Sequence, residues 1–110
     1  MKTGIEQITN ERQRQITEKG WTSSHDATHE GGELARAAAC YAETAAALAA
    51  GASLKEVADI PIDELSEGPH WPWEEEAWKP SSDPVKNLVK AGALIAAEID
   101  RLENSKRAQS

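Results

Sequence analysis

The side chains able to do chemistry fall into three groups. The first is the run His25-Asp26-Ala27-Thr28-His29-Glu30-Gly31-Gly32-Glu33, which concentrates metal-competent nitrogens and oxygens in nine positions. His29 and Glu33 lie four apart, so on one helix they would face the same ion, with His25 or Asp26 completing the shell from the preceding loop. The competing reading makes Asp26 or Thr28 a helix cap, gives Glu30 and Glu33 to the positive end of the helix, and leaves His25 and His29 to loop packing. It is favoured, because the zincin spacing lacks its internal glutamate and Gly31-Gly32 weakens a helix at that point.

The second group is carboxylates on facing helices. All-α nucleotide pyrophosphohydrolases hold magnesium with a Glu-x-x-Glu pair on one helix and Glu-x-x-Asp on the next. Glu30 and Glu33 supply the first half, but Glu98 is followed three residues on by Arg101 and the second half is missing. A magnesium-dependent hydrolase using Glu30, Glu33, His29 and Glu98 is therefore the enzymatic alternative. Nucleophilic catalysis has no foundation, since Cys40 and the serines have no base at a spacing the sequence supports.

The third group is cationic and aromatic: Arg12, Arg14, Lys19, Arg36, Lys79, Lys86 and Lys90, interleaved with Trp21, Trp71, Trp73 and Trp78. Guanidinium groups fork phosphates, indoles stack on bases, and free helix N-terminal amides attract anions. Arg12 carries the most weight, because the stripe 5, 8, 12, 16 puts it where the first helix calls for a hydrophobe, and an inward charge needs a partner or a ligand. Against this, the tryptophans are what would fill a core without Phe, Arg12 can pair with Glu33 or another acid, and lysines commonly form a solvated face.

These residues must be positioned by helices. The spacing predicts a first helix from Ile5 to Lys19, stopped by Gly20, then a polar loop. A second helix runs from about Glu30 to Ala50, with Leu34, Ala38, Tyr41, Ala45 and Leu48 inward and Gly51 ending it. Ser53 and Glu56 have capping-box spacing for a short helix to about Asp59, ahead of Pro61. The stretch 68–82, with three prolines and three tryptophans, reads as an ordered loop rather than a linker. Asp83 caps a third main helix with Pro84 at its first position, and Val85, Leu88, Val89, Gly92, Ile95, Ala96, Ile99 and Leu102 form its core-facing stripe. No alternating pattern of useful length occurs, so the expected fold is all-α: three main helices, one or two short ones, and the Trp/Pro-rich loop packed across them, in a single domain over 1–103 with a disordered tail over 104–110.

Composition narrows the partners. The 110 residues include 19 Ala but only 7 Ile, 7 Leu and 3 Val, so the core must be thin, and a homo-oligomer would supply what is missing. A net charge of −7 repels phosphate backbones and anionic membranes as a whole, which leaves bulk nucleic acid and membranes out and requires a local basic pocket for any anion. One cysteine and no apolar leader point to a cytoplasmic protein.

Several runs resemble a family of small phage and prophage proteins: Glu11-Arg12-Gln13-Arg14-Gln15, Gly20-Trp21-Thr22, His25-Asp26, His29, Gly32-Glu33-Leu34-Ala35, Tyr41-Ala42, Trp71-Pro72-Trp73, Trp78-Lys79-Pro80, and 87–95 followed by Glu98-Ile99 and Arg101-Leu102. The resemblance covers most of the chain and implies a phage protein in the cytoplasm of an infected bacterium, without implying an activity. The order of Glu/Arg-rich helix, Gly-Trp, Pro-Trp and basic helix is also similar to the RyR repeat domain, for which binding of nucleotide-like ligands has been proposed. That likeness would place Arg12, Trp21, Trp73 and Lys90 in or near a pocket, though the long Ala-rich second helix departs from it.

Together these readings predict a binder, not an enzyme, that takes a nucleotide-derived anionic small molecule, with a host immune messenger as one candidate, and no cofactor. Arg12, Arg14 and Lys90 would neutralise phosphate, Trp21 and Trp73 would stack on or shield the base, and His25 and His29 would hydrogen-bond ribose or phosphate. A module that inhibits a host protein through its acidic surface and Trp loop is the remaining alternative.

Overall fold

Thr3 opens the first helix by accepting the Glu6 amide on its hydroxyl, and Gly20, at φ 70°, closes it by donating its N–H to the Gln15 carbonyl. Only a residue tolerant of the left-handed region fits that closure. This is α1, Gly4–Lys19. The computed structural model describes residues 2–20, 31–57 and 70–108. Trp21, His25, His29 and Glu30 lie outside the described residues.

Helix α2 spans Glu33–Ala49 and starts three residues later than the sequence predicts. Gly32 at φ 82° precedes it, so the paired glycines set the boundary. Of the predicted stripe Leu34, Ala38, Tyr41 and Ala45 are buried and Leu48 is half-buried; Ala37, Cys40 and Thr44 join the buried face. A short helix α3, Leu54–Val57, begins after Ser53, whose hydroxyl accepts the Glu56 amide. A single 3-10 turn, Glu75–Ala77, lies in the Trp-rich segment.

Asp83 caps the last helix as its spacing predicts, accepting the Val85 amide at 2.9 Å, and α4 runs Pro84–Ala108. It extends to residue 108 within the stretch 104–110 read as a disordered tail, and Glu103 with Lys106 and Asn104 with Arg107 form i,i+3 pairs, with two basic residues at the negative end of the helix.

Two packing faces differ from the sequence expectation. On α4 the predicted core stripe is turned outward: Val85, Leu88, Ile95, Ile99 and Leu102 are exposed, and Asn87, Ala91, Ala93, Leu94, Ala97 and Glu98 are buried instead. The cause is backbone proximity. Alanines on both sides of the α2–α4 contact let the two helices approach closely, an arrangement that large branched side chains would hold apart. On α1, Ile5 is exposed, and the face turned inward carries Ile8, Glu11 and Gln15. Ile8 lies against Gly92 of α4, where an added Cβ would come within 2.5 Å of its Cδ1.

The core is thus small-residue packing between α2 and α4, closed by aromatic rings from the segment after residue 70. Trp71 is buried against Leu34, Tyr41 and Leu94, with Trp73 and Trp78 partly buried beside it. Ring centroids lie 4.7 Å apart for Tyr41 and Trp78, 4.9 Å for Trp71 and Trp78, and 5.3 Å for Trp71 and Trp73. Offset and edge-on contacts at such separations are the favourable ones. Among the described residues there is no strand, and no helix is long and apolar enough to cross a membrane. The fold is all-α.

Candidate functional site

Where α1 crosses α4, two cavities share one wall. The deeper, about 270 Å³, is lined by Glu11, Arg14, Gln15 and Lys19 of α1, Tyr41 of α2, Trp71, Trp73, Ala77 and Lys79 of the Trp-rich segment, and Lys90 and Leu94 of α4. The more open one, about 640 Å³, has Lys2, Gln7, Asn10, Lys86 and Val89 on its far side. Glu11, Arg14 and Lys90 border both. Lys2, Arg14, Lys19, Lys79, Lys86 and Lys90, six of the chain's 12 lysines and arginines, therefore line these two adjoining cavities, with Glu11 the one acid among the described lining residues. An acidic protein has gathered half its positive charge in one place, which is the local field an anion requires.

Each wall is held in position. Glu11 accepts both Nε and Nη2 of Arg14 at 2.8 Å, a two-point fork, and Arg14 also reaches Glu18 at 3.6 Å. Gln15 donates its Nε2 to Glu11 at 3.3 Å. Lys90 donates its ammonium to the Lys79 carbonyl at 2.9 Å and stands 5.3 Å from the centre of the Tyr41 ring. The Tyr41 hydroxyl accepts the Lys79 amide, and the Trp71 indole N–H donates to the Glu74 carbonyl. Asn87, fully buried, clamps the segment to α4 by accepting the Ser81 amide and donating to the Ser81 carbonyl, both at 2.8 Å.

Electrostatics divide the cations. Hydrogen bonding to Arg14, opposed by burial, holds Glu11 below the ordinary carboxylate value and raises Arg14, so most of the Arg14 charge is answered internally. Lys90 is the opposite case: burial lowers it below an ordinary lysine, with Glu11 only partly restoring its proton affinity. Its ammonium borders both cavities and, beyond the Lys79 carbonyl and the Tyr41 ring, keeps N–H donors that an anion can use. Burial likewise raises Tyr41, and drives the lone Cys40 thiol to about 11, an inert core group.

The Glu11–Arg14 pair has a testable pH signature. A carboxyl lowered in the folded state contributes stability above its unfolded value, 4.5, and loses it as pH falls through the folded value. The thermal midpoint of the native protein is therefore expected to drop more steeply below pH 4.5 than that of Glu11→Gln, whose acid limb should be flatter; superimposable acid limbs would show that the pair contributes nothing.

Of the predicted site residues, Arg14, Trp73 and Lys90 meet at the deeper cavity. Arg12 is half-buried on α1 and lines neither cavity. Glu33 heads α2, and Glu98 is buried and ion-paired with Arg101, the residue that interrupts the magnesium pattern. Among the described residues no three His, Cys, Asp or Glu side chains cluster as a metal site.

Sequence reasoning missed Gln15. It is 2% exposed, it lines the deeper cavity, and with Nε2 given to Glu11 its Oε1 finds no hydrogen-bond partner among the described residues. A buried unsatisfied acceptor is costly unless something outside the chain donates to it. The available signal was its position four residues after Glu11, one turn along the same face.

No protein-family model, curated protein sequence or solved structure matches the chain.

Proposed function

We propose that this chain is a non-enzymatic binding protein whose site, between α1, α4 and the Trp-rich segment, takes a small nucleotide-derived anion. The observation that carries the reading is the Gln15 acceptor, buried without a donor in a cavity walled by lysines and indoles. A phosphate alone would use the cations but offer Gln15 nothing at neutral pH beyond what water gives. A base or sugar edge with N–H or O–H groups completes the acceptor, an aromatic face suits Trp73, and a phosphate suits Lys90 and Lys19. The open basin beyond Glu11, with Lys2 and Lys86, gives room for a second phosphate or sugar, and its volume, about 640 Å³, falls in the range of small-molecule sites while the deeper cavity lies just below it.

Sequestration of a signalling nucleotide from an infected host is the use that the phage resemblance suggests. Titration calorimetry of the whole chain against cyclic nucleotides, ADP-ribose isomers, adenosine and inorganic phosphate tests the reading. Heat from one nucleotide, with Gln15→Met and Lys90→Met each weakening it, is the expected result. Binding of inorganic phosphate as tightly as any nucleotide, or no heat from the panel, overturns it.

A further inference from the structure

The aliphatic residues are distributed inside out. The buried centre is built mainly from alanine, yet Val85, Leu88, Ile95, Ile99 and Leu102 of α4 are 46 to 54% exposed, and Ile5 of α1 is 79% exposed. Six of the 14 isoleucines, leucines and valines among the described residues thus stand on the surface. Soluble monomers rarely present so continuous an apolar patch.

The spacing of the patch identifies its occupant. Positions 85, 88, 92, 95, 99 and 102 alternate by three and four residues, the a/d repeat of a helix seam built to receive another helix. The outward positions of α2, Ala35, Arg36, Ala39, Glu43 and Ala46, offer no such seam. Read in reverse, the α4 seam is complementary to itself. About a two-fold axis midway between Gly92 and Ile95, Val85 falls opposite Leu102 of a second copy, Leu88 opposite Ile99, and Gly92 opposite Ile95. Large side chains oppose large ones at the ends, and at the centre an isoleucine meets a glycine already covered by Ile8 of α1. A parallel pairing would set Gly92 on Gly92 and forfeit that layer.

We infer that α4 is a dimerisation helix, packing antiparallel on α4 of a second copy of this chain through the 85–102 seam. The inference is independent of the ligand site, since Lys90 and Leu94 leave α4 on a different side. Over 85–102 the seam is about 27 Å long and roughly 10–12 Å across, a footprint on the order of 300 Å² per copy and about 600 Å² for the pair, which is the size of a weak, reversible dimer.

Sedimentation equilibrium of the full chain over a concentration series tests this, with circular dichroism to confirm folding. The native chain is expected to reach twice its monomer mass, and Ile99→Lys, at a half-exposed position, to weaken association at least tenfold with an unchanged helical spectrum. Register is read by mixing Leu88→Cys chains with Ile99→Cys chains under oxidation. The native chain's only other thiol, Cys40, is buried, so disulfides between unlike chains support the antiparallel seam. Leu88→Cys chains joining only to each other overturn it. A native chain that stays monomeric, or an Ile99→Lys chain that dimerises as well as the native one, also overturns the inference.

Discussion

Lys90→Met is expected to weaken nucleotide binding roughly tenfold to a hundredfold, the worth of one charge-assisted hydrogen bond, while the thermal midpoint of the unliganded protein stays level or rises. The two effects share one cause. Burial lowers the proton affinity of Lys90 in the folded chain, so carrying its charge at neutral pH costs the folded state something that the unfolded chain does not bear. For a base lowered on folding, that cost is present below the folded value and disappears as pH rises past the unfolded one. Methionine keeps the aliphatic stem against Tyr41 and removes the charge. The hydrogen bond to the Lys79 carbonyl is lost as well, but that carbonyl belongs to an exposed residue and water can replace the donor. Sites that keep a charge in a partly buried position for a ligand trade stability for function. A variant that binds normally, or one whose affinity and stability fall together, would show Lys90 to be structural. Calorimetry beside thermal melts separates these outcomes.

The residue types of this site were legible in the sequence before their arrangement was. Arg14, Lys90 and Trp73 stand out by type, and they do meet, but their meeting depends on where α1 crosses α4, which no local pattern encodes. Helix boundaries at Gly20 and at Asp83-Pro84 were legible because caps are chemistry within a few residues of the chain. The inward face of α4 was not. A stripe of aliphatics spaced by three and four residues signals burial against something, and nothing in the periodicity distinguishes the chain's own core from another copy. The actual inner face, Asn87, Ala91, Leu94, Ala97 and Glu98, looks unpromising as a core until the alanines of α2 are seen opposite it. The same ambiguity explains α1. On α1 Arg12 is half-buried with its Nε shielded, as its place on the stripe implies, but with Ile5 exposed the line that meets the cavity runs through Glu11 and Gln15, which are polar and give no hydropathy signal.

Asn87→Ala should be among the most destabilising single changes in the chain, by about 2–4 kcal/mol. Asn87 is fully buried on α4, and its amide makes both hydrogen bonds that hold the Ser81 backbone, as acceptor from the N–H and donor to the carbonyl. Alanine leaves both Ser81 groups seeking partners in a part-buried setting, and it also leaves a void beside the helix. Asn87→Asp separates these contributions: the carboxylate can still accept the Ser81 N–H but cannot donate to the carbonyl, and it buries a charge, so it should cost at least as much as alanine at neutral pH. For a domain of this size a loss of about 3 kcal/mol lowers the thermal midpoint by on the order of 10 °C. The consequence for the site is larger than the stability figure conveys. Ser81 is the point where the Trp-rich segment is fastened to α4, and Trp71, Trp73 and Lys79 reach the cavity only from that segment. Releasing the fastening should therefore weaken ligand binding even in the fraction that remains folded, with Trp fluorescence shifting to longer wavelength as the indoles loosen. An Asn87→Ala protein with a native melting midpoint and native fluorescence would mean that the ring cluster, not the clamp, holds the segment.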